Sequence, residues 1–161
     1  LAGAVIGFYA NLWSDNPPTF VVVEAKAADC LYEGALAGDG KIRTVGGDME
    51  TIMAGLACGE PNTISWDILK NHVKLFVAIS DDVAADGMRM LAAPIKGDPP
   101  ITSGESGAAS FAALMALMTD DACEEPRALL GLGRDSRVLV FSTEGDTDPE
   151  RYREIVWEGQ F

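Results

Sequence analysis

The stretch that decides the fold is FVAISDDVAADGMRMLAA, residues 76–93. Its first four residues are apolar without alternation, which is typical of a strand buried on both faces, as in parallel sheets. Ser80 and Asp81 then supply a helix cap, and residues 82–93 carry an apolar stripe at helical spacing. A buried strand that passes directly into a capped helix is the unit from which α/β folds are built.

The same unit recurs on both sides of this stretch. Apolar runs at residues 19–23 and 137–141 predict two further buried strands, and residues 41–45 predict a strand or an extended segment. Helical patterns cover residues 1–13, 25–37, 63–75, 107–118, 125–131 and 148–156, and residues 48–62 form a long loop. We therefore predict an α/β fold, a mostly parallel sheet with helices on both faces, in a single piece over residues 1–161.

The charge balance restricts the partners. With 25 acidic and 12 basic side chains the chain carries a net charge of −13. This charge argues against binding to nucleic acid or to an anionic membrane. The chain starts LAGAVIGFYANLW, apolar from its first residue, which indicates a start inside a structural element of something longer.

The cysteine and histidine content argues against a metal site. Cys30, Cys58 and Cys123 form no CxxC, and His72 is the one histidine, so no metal-ligand spacing is present. Low cysteine use suits the reducing cytoplasm. A disulfide between Cys30 and Cys58 is the alternative if the loops that carry them meet.

Two predicted helix starts have the composition of a ligand site, since helix N-termini attract anionic groups. Gly3 belongs to small residues that would offer free N–H groups to a phosphate; the alternative is close helix packing. Ser106 fits as an N-cap whose hydroxyl would bond a ring nitrogen; the alternative is an ordinary cap.

The loop MAGLACGEPN, residues 53–62, suits the wall of a site better than solvent. Glu60, its one acid, would bind the ammonium group of a substrate; the alternative is a solvated charge before a helix. Other acids, among them Asp81 and Glu144, are expected to form solvated faces and helix starts. No lysine lies in an apolar strand-end setting that would lower its pKa for Schiff-base chemistry.

Six segments together resemble the C-terminal part of diaminopropionate ammonia-lyase, a family of the fold type II pyridoxal-phosphate group. They are LAGAVIGFYANLW, VVVEAKAADCLY, GGDMETIMAGLACGEPN, VAISDDVAADGMRMLA, ITSGESGAA and VFSTEGDTDPERY. The resemblance implies α,β-elimination from 2,3-diaminopropionate to ammonia and pyruvate, with pyridoxal phosphate as cofactor, by a homodimer.

The resemblance also implies roles for particular residues. Gly3 matches the end of the cofactor's phosphate loop, and Ser106 matches the hydroxyl that faces the pyridine nitrogen, with Ser103 as second choice. The segment from Gly55 lines the other side of the cofactor, and its polar members, Glu60 and Asn62, are the substrate-binding candidates.

The resemblance further implies that the segments carrying Cys30 and Cys58 lie close together in the fold, which would allow a disulfide between them. The family's Schiff-base lysine and acid–base aspartates belong to an N-terminal portion that no segment here matches. We therefore expect no catalytic residue in this chain, and no activity from the chain alone.

Two alternatives stay open. A related threonine or serine dehydratase would share the strand, the SDD cap and the SGAA helix start. A stand-alone, non-catalytic α/β binding module would instead have a polar N-terminal flank. The apolar start of the chain argues against this alternative.

Overall fold

Seven α-helices and two strands make up the fold in the computed structural model, which describes residues 1–161. In chain order they are α1 (Ala2–Leu12), β1 (Phe20–Ala25), α2 (Cys30–Ala37), α3 (Thr63–His72), β2 (Val73–Ile79), α4 (Asp81–Ala92), α5 (Glu105–Thr119), α6 (Glu124–Leu130) and α7 (Pro149–Val156). Short 3₁₀ turns lie at Lys26–Ala28, Ala54–Leu56 and Asp121–Cys123. No helix combines the length and the apolar character that a membrane crossing requires.

The two strands pair in parallel. Val21 lies opposite Leu75 and Ala25 opposite Ile79, with an irregularity in register after Phe20. A parallel pair needs a crossover connection between its strands, and α2 and α3 lie in that connection. The predicted α/β fold with a parallel sheet is therefore confirmed.

Helices cover both faces of the strand pair, as predicted. On one face Ala25 and Ile79 pack against Ala84 of α4 and against alanines of α5. On the other face Val22 packs against residues of α1 and α3, namely Ile6, Trp66 and Leu69. Each strand therefore contributes to two separate apolar clusters, which is why its sequence shows no alternation.

Small residues bring α4 and α5 close together. A Cβ added at Gly87 of α4 would lie 2.6 Å from the Cβ of Ala112 on α5, so only glycine fits there. The alanines along this interface are almost completely buried: Ala84, Ala85, Ala108, Ala109, Ala112 and Ala113. On its other side α4 packs against α7 through Met88 and Ile155.

Several boundaries differ from the prediction for reasons of pairing and capping. The strand predicted from residue 76 begins at Val73, since Val73 pairs with Phe20, and α3 accordingly ends at His72. The helix predicted from residue 25 begins only at Cys30. The cause is the Glu24 carboxylate, which accepts hydrogen bonds from the backbone N–H groups of Leu31 (3.1 Å) and Tyr32 (2.8 Å).

The prediction of a buried strand at residues 137–141 is wrong for this structure. The segment is exposed, with Leu139 66% and Phe141 41% accessible, and no backbone hydrogen bond is made by any of its residues. The physical reason is that no strand lies beside it, because β1 pairs with β2 alone. Residues 41–45, predicted as a strand or an extended segment, form no strand, and their one backbone hydrogen bond runs from the Val45 N–H to the Gly59 carbonyl.

Candidate active site

A groove of about 500 Å³ lies between α1, β1, α5 and the extended segment at 137–143. Its lining is mostly apolar and includes Leu1 and Ala2 at the start of α1, Leu56 in a 3₁₀ turn, and Ser106 in the first turn of α5. All three candidate segments of the sequence therefore reach one cavity.

The contact between Gly55 and Ser106 joins two of the predicted cofactor residues. The Gly55 N–H donates to Ser106 Oγ at 3.0 Å, across 51 positions of sequence. A Cβ at position 55 would lie 2.9 Å from that oxygen, so a glycine is needed for the close approach. Because Oγ already accepts this bond, the proton of the Ser106 hydroxyl is free to be donated elsewhere.

The loop that carries Gly55 is held by Asp81, the first residue of α4. The carboxylate of Asp81 accepts from the hydroxyl of Thr51 at 2.5 Å and from the N–H of Ile52 at 3.1 Å. Met53, next along the loop, is fully buried in the cluster between the sheet and α5. Asp81 is thus a structural anchor of the site wall and not the solvated helix charge that its sequence context predicts.

The first turn of α5 is capped differently from the prediction. The helix begins at Glu105 with Gly104 as its N-cap, so the prediction that Ser106 is the N-cap is wrong. The backbone N–H of Ser106 instead donates to the Glu144 carboxylate at 3.0 Å, and the N–H of Gly104 donates to the Glu144 carbonyl, also at 3.0 Å. This capping leaves the Ser106 side chain free of the role that a serine N-cap normally has.

Ser103 has a different environment from Ser106. Its side chain is fully buried, and its Oγ lies 2.8 Å from the Oγ of Ser142. A Cβ at Gly107 would lie 2.8 Å from the same Oγ, so Ser103 sits beneath the helix start. The structure therefore places Ser103 in the contact between α5 and the 142–147 segment, apart from Gly55.

Gly3 is buried in the first turn of α1, where it faces α3. A Cβ at Gly3 would lie 2.7 Å from Ser65 Oγ, so its surroundings are those of close helix packing. The N–H groups of Ala2 and Gly3, in the first turn of the helix, have no intrahelical acceptor. Ala2, its neighbour, lines the groove.

Glu60 and Asn62 are not brought to the groove. Both are exposed and neither lines it. Asn62 is the N-cap of α3, its Oδ1 accepting from the Ser65 N–H at 2.9 Å. The Glu60 side chain has no hydrogen-bond partner, and its carbonyl accepts from the Cys58 thiol at 3.5 Å.

Cys30 and Cys58 are free thiols in the structure. The Cys30 thiol lies 3.4 Å from the carbonyl oxygen of Cys58 and 3.6 Å from a carboxylate oxygen of Glu24. Burial, together with the Glu24 charge, raises the pKa of the Cys30 thiol to about 12. Burial also raises the pKa of Glu24 above its ordinary value, against the two backbone N–H groups that lower it.

Two acidic side chains, Glu105 and Glu144, lie close together at the start of α5. Burial first, and the charge of Glu144 in addition, raise the pKa of the Glu105 carboxyl. No group of three or more His, Cys, Asp or Glu side chains is placed to hold a metal ion.

Sequence reasoning missed Asp81 and Glu144 as parts of this region. Both act over long sequence distances, 29–30 positions from Asp81 to the loop and 38 from Glu144 to Ser106. No local pattern signals such contacts.

A parallel α/β unit with its candidate site at the start of a helix, near the carboxyl ends of both strands, is a ligand-binding arrangement. Comparison with known proteins makes this more specific. The family model described as "Pyridoxal-phosphate dependent enzyme" matches residues 1–133. The chain belongs to that family.

Individual relatives are similar over nearly the whole chain. A diaminopropionate ammonia-lyase of Escherichia coli (strain K12) is 48% identical over 160 residues, which are 99% of this chain and 40% of the relative. The crystal structure of the E. coli enzyme in complex with D-serine matches with a TM-score of 0.88 and 44% identity, covering 99% of this chain and 39% of that one.

A second structure of the E. coli enzyme, in complex with an aminoacrylate–PLP azomethine reaction intermediate, matches with a TM-score of 0.85 and 43% identity. It covers 99% of this chain and 40% of that one. The chain thus spans about two fifths of the length of the curated relatives it matches.

Proposed function

We propose that this chain is the C-terminal part of a pyridoxal-phosphate-dependent ammonia-lyase that converts 2,3-diaminopropionate to pyruvate and ammonia. The observation that carries the proposal is the match to the E. coli diaminopropionate ammonia-lyase over 99% of the chain at 48% identity. The structure of the E. coli enzyme with an aminoacrylate–PLP species supports an elimination, because aminoacrylate is what remains after the β-substituent of an amino acid leaves.

The residues around the groove fit the cofactor. Glycine at position 55 keeps space open beside the Ser106 hydroxyl, and that hydroxyl keeps a proton to donate. The Ser106 Oγ would donate to the pyridine nitrogen, while the N–H groups of Ala2 and Gly3 would bind phosphate oxygens at the positive end of α1. When bound, the cofactor withdraws electrons from the substrate Cα, which makes the Cα proton acidic and allows the β-amine to leave.

The contribution of this chain to the reaction is binding and orientation. Gly55 holds Ser106 Oγ by its N–H, and Glu144 holds the Ser106 backbone, so the hydroxyl is fixed before any ligand arrives. Apolar side chains line most of the groove and would replace water around a bound cofactor ring. Glu60 and Asn62 stay candidates for substrate binding, since the capping bond occupies Asn62 Oδ1 and leaves its Nδ2 donors free.

The Schiff-base lysine is proposed to lie outside this chain. All five lysines are exposed, and none of them lines the groove. These are Lys26, Lys41, Lys70, Lys74 and Lys96. On this proposal the chain by itself is inactive, and the site is completed by the rest of the polypeptide.

The proposal extends to assembly and location. By analogy with the family, the full-length protein is a homodimer, and its three free thiols suit the reducing cytoplasm. Light scattering on the purified full-length protein tests the dimer, and fractionation of the producing cells tests the location.

The test of the function uses the full-length protein loaded with pyridoxal phosphate. Pyruvate should form from 2,3-diaminopropionate, and Ser106→Ala should lower kcat and shift the absorption band of the bound cofactor. Ser110→Ala is the matched control, because Ser110 lines the same groove on the same helix. Turnover of threonine or serine without turnover of diaminopropionate would identify a dehydratase instead.

A further inference from the structure

Asp81 and Thr51 act together on the loop that carries Gly55. One oxygen of the Asp81 carboxylate accepts from the Thr51 hydroxyl at 2.5 Å, and the other accepts from the Ile52 N–H at 3.1 Å. The same Thr51 hydroxyl oxygen accepts from the Met53 N–H at 3.1 Å. The two side chains therefore take up the N–H groups of two consecutive loop residues.

The loop has no free N–H group between these residues and Gly55. Each backbone N–H from residue 52 to residue 56 has an acceptor. That of Gly55 donates to Ser106 Oγ, and those of the two residues beside it donate to carbonyl groups within the loop. The Met53 side chain is fully buried among alanines of α4 and α5. A displacement at residues 51–53 would therefore be passed on to the Gly55 N–H.

The two ends of this connection lie in the first turns of neighbouring helices. Asp81 is the first residue of α4, and Ser106 is the second residue of α5. The two helices pack closely where Gly87 faces Ala112. The carboxylate at the start of α4 therefore determines where the loop lies relative to the hydroxyl at the start of α5.

The neighbouring Asp82 shows that the bonds of Asp81 are not ordinary helix capping. An acid in the first turn of a helix usually serves that helix, through its free N–H groups and its dipole. Asp82 does so, since its exposed carboxylate bonds to Ser80, the N-cap of α4. Asp81 instead uses both of its oxygens for the loop.

We propose that Asp81, together with Thr51, is a positioning residue for the cofactor. It holds the Gly55 N–H against Ser106 Oγ and thereby directs the serine proton towards the ring nitrogen. Without this support the loop moves away and the Ser106 hydroxyl samples several rotamers. The step from Ser106 to the cofactor rests on the proposed function, whereas the link from Asp81 to Gly55 rests on hydrogen bonds of this chain alone.

Asp81→Asn tests the link because it keeps the size of the side chain and changes one acceptor into a donor. The new amide group faces either the Ile52 N–H or the Thr51 hydroxyl, and the donor that it faces loses its acceptor. In the full-length protein without cofactor, amide exchange at residues 52–56 should become about tenfold faster or more. Asp82→Asn is the matched control, because it makes the same change at the next residue, and exchange there should stay unchanged.

The cofactor supplies a readout that a purely structural anchor would not change. With pyridoxal phosphate bound, Asp81→Asn should shift the absorption band in the same direction as Ser106→Ala. It should lower kcat about tenfold and leave KM nearly unchanged, because Asp81 acts through Ser106 and not on the substrate. In the double variant, Asp81→Asn should add no shift to that of Ser106→Ala. A structural anchor would lower the melting temperature and leave the band in place.

Thr51→Val and Thr51→Ser test the link from the loop, and they decide the matter if Asp81→Asn does not fold. Valine has the shape of threonine without the hydroxyl, so it should reproduce the faster exchange and the band shift. Serine keeps the hydroxyl and should behave like the wild type. Circular dichroism verifies that each variant is folded.

The proposal is overturned if exchange at residues 52–56 is unchanged in folded Asp81→Asn and Thr51→Val. It is also overturned if Asp82→Asn has equal effects, or if the band shifts of Asp81→Asn and Ser106→Ala add. Pyruvate formation by the wild type tests the proposed function separately, since the exchange measurement needs neither cofactor nor substrate.

Discussion

The hydrogen bond from the Gly55 N–H to Ser106 Oγ sets the geometry of the candidate site at the residue scale. The backbone donor occupies one lone pair of the hydroxyl and directs its proton away from Gly55. A serine fixed in this way is a preorganised donor, whereas an unrestrained serine would sample several rotamers.

Gly55→Ala should disturb Ser106 directly. The new methyl would lie 2.9 Å from Ser106 Oγ and 3.2 Å from its Cβ, so either the loop or the serine must move. We expect full-length protein with this substitution to bind pyridoxal phosphate at least tenfold more weakly, as measured by fluorescence titration. Gly46→Ala is the control, because nothing lies within 4 Å of a Cβ there; equal effects from the two substitutions would contradict the argument.

Cys30 should react slowly with alkylating agents. With a pKa of about 12, its thiolate at pH 8 is roughly 10³-fold scarcer than that of an unperturbed thiol. Because the pKa is raised, the rate of labelling by iodoacetamide should keep rising about tenfold per pH unit from pH 8 to pH 11.

Exposed Cys58 is the internal reference for this measurement. Equal labelling rates for the two cysteines would contradict the burial of Cys30. Labelling of both only after reduction would establish the Cys30–Cys58 disulfide, which stays a prediction.

Sequence reasoning at this scale identifies residue types better than contacts. Gly55 and Ser106 are both predicted as cofactor residues, and the structure brings them together. That Glu144 reaches Ser106 could not be predicted, because an acid in a polar loop has the same local sequence whether it is solvated or caps a distant helix. The capping role of Asn62, by contrast, is a local one, and its position just before α3 explains it.

At the scale of elements, the start of α5 depends on a segment far along the chain. Glu144 accepts from the Ser106 N–H with its carboxylate and from the Gly104 N–H with its carbonyl, so residues 142–147 complete the helix. A carboxylate at a helix N-terminus also interacts favourably with the helix dipole.

Glu144→Ala should lower the free energy of unfolding by about 1 kcal/mol, the usual cost of losing a side-chain cap. Urea titration followed by circular dichroism measures this change. Asp146→Ala removes a nearby exposed acid that makes no hydrogen bond, and we expect it to be nearly neutral. A neutral Glu144→Ala would mean that water replaces the cap without cost.

Element positions follow from the sequence where apolar patterning decides them and fail where pairing decides them. The patterns of α3, α4 and α5 give those helices to within a few residues, because each buries a continuous stripe. Residues 137–141 have the composition of a buried strand, yet a strand exists only beside another one. The apolar pattern of a segment indicates that it can be a strand, but a strand forms only where a neighbouring strand is available for pairing.

The whole molecule carries a net charge of −13, and only a few of its acids are paired. Five ion pairs are present, and their side chains are partly or largely exposed, as in Arg43–Asp39 and Arg153–Glu158. Such pairs contribute little stability, so repulsion among the unpaired carboxylates opposes folding.

Added salt should therefore stabilise the chain. Raising NaCl from 10 to 200 mM shortens the screening length severalfold, and we expect the melting temperature to rise by about 3 °C. Differential scanning calorimetry measures the shift, and choline chloride at equal ionic strength is the control for specific ion binding. A melting temperature that falls with salt would show that attractive pairs outweigh the repulsion.

The alanine-lined interface between α4 and α5 has a consequence for motion. Gly87 and Ala112 approach so closely that α4 and α5 have little room to slide past each other, and α4 also packs against α7. Ser106 therefore lies at the start of a helix that is packed with α4, and through α4 with α7. We therefore expect any change in the 3.0 Å contact between Gly55 and Ser106 to come from the loop around Gly55, which Asp81 holds at Ile52, rather than from the packed helices.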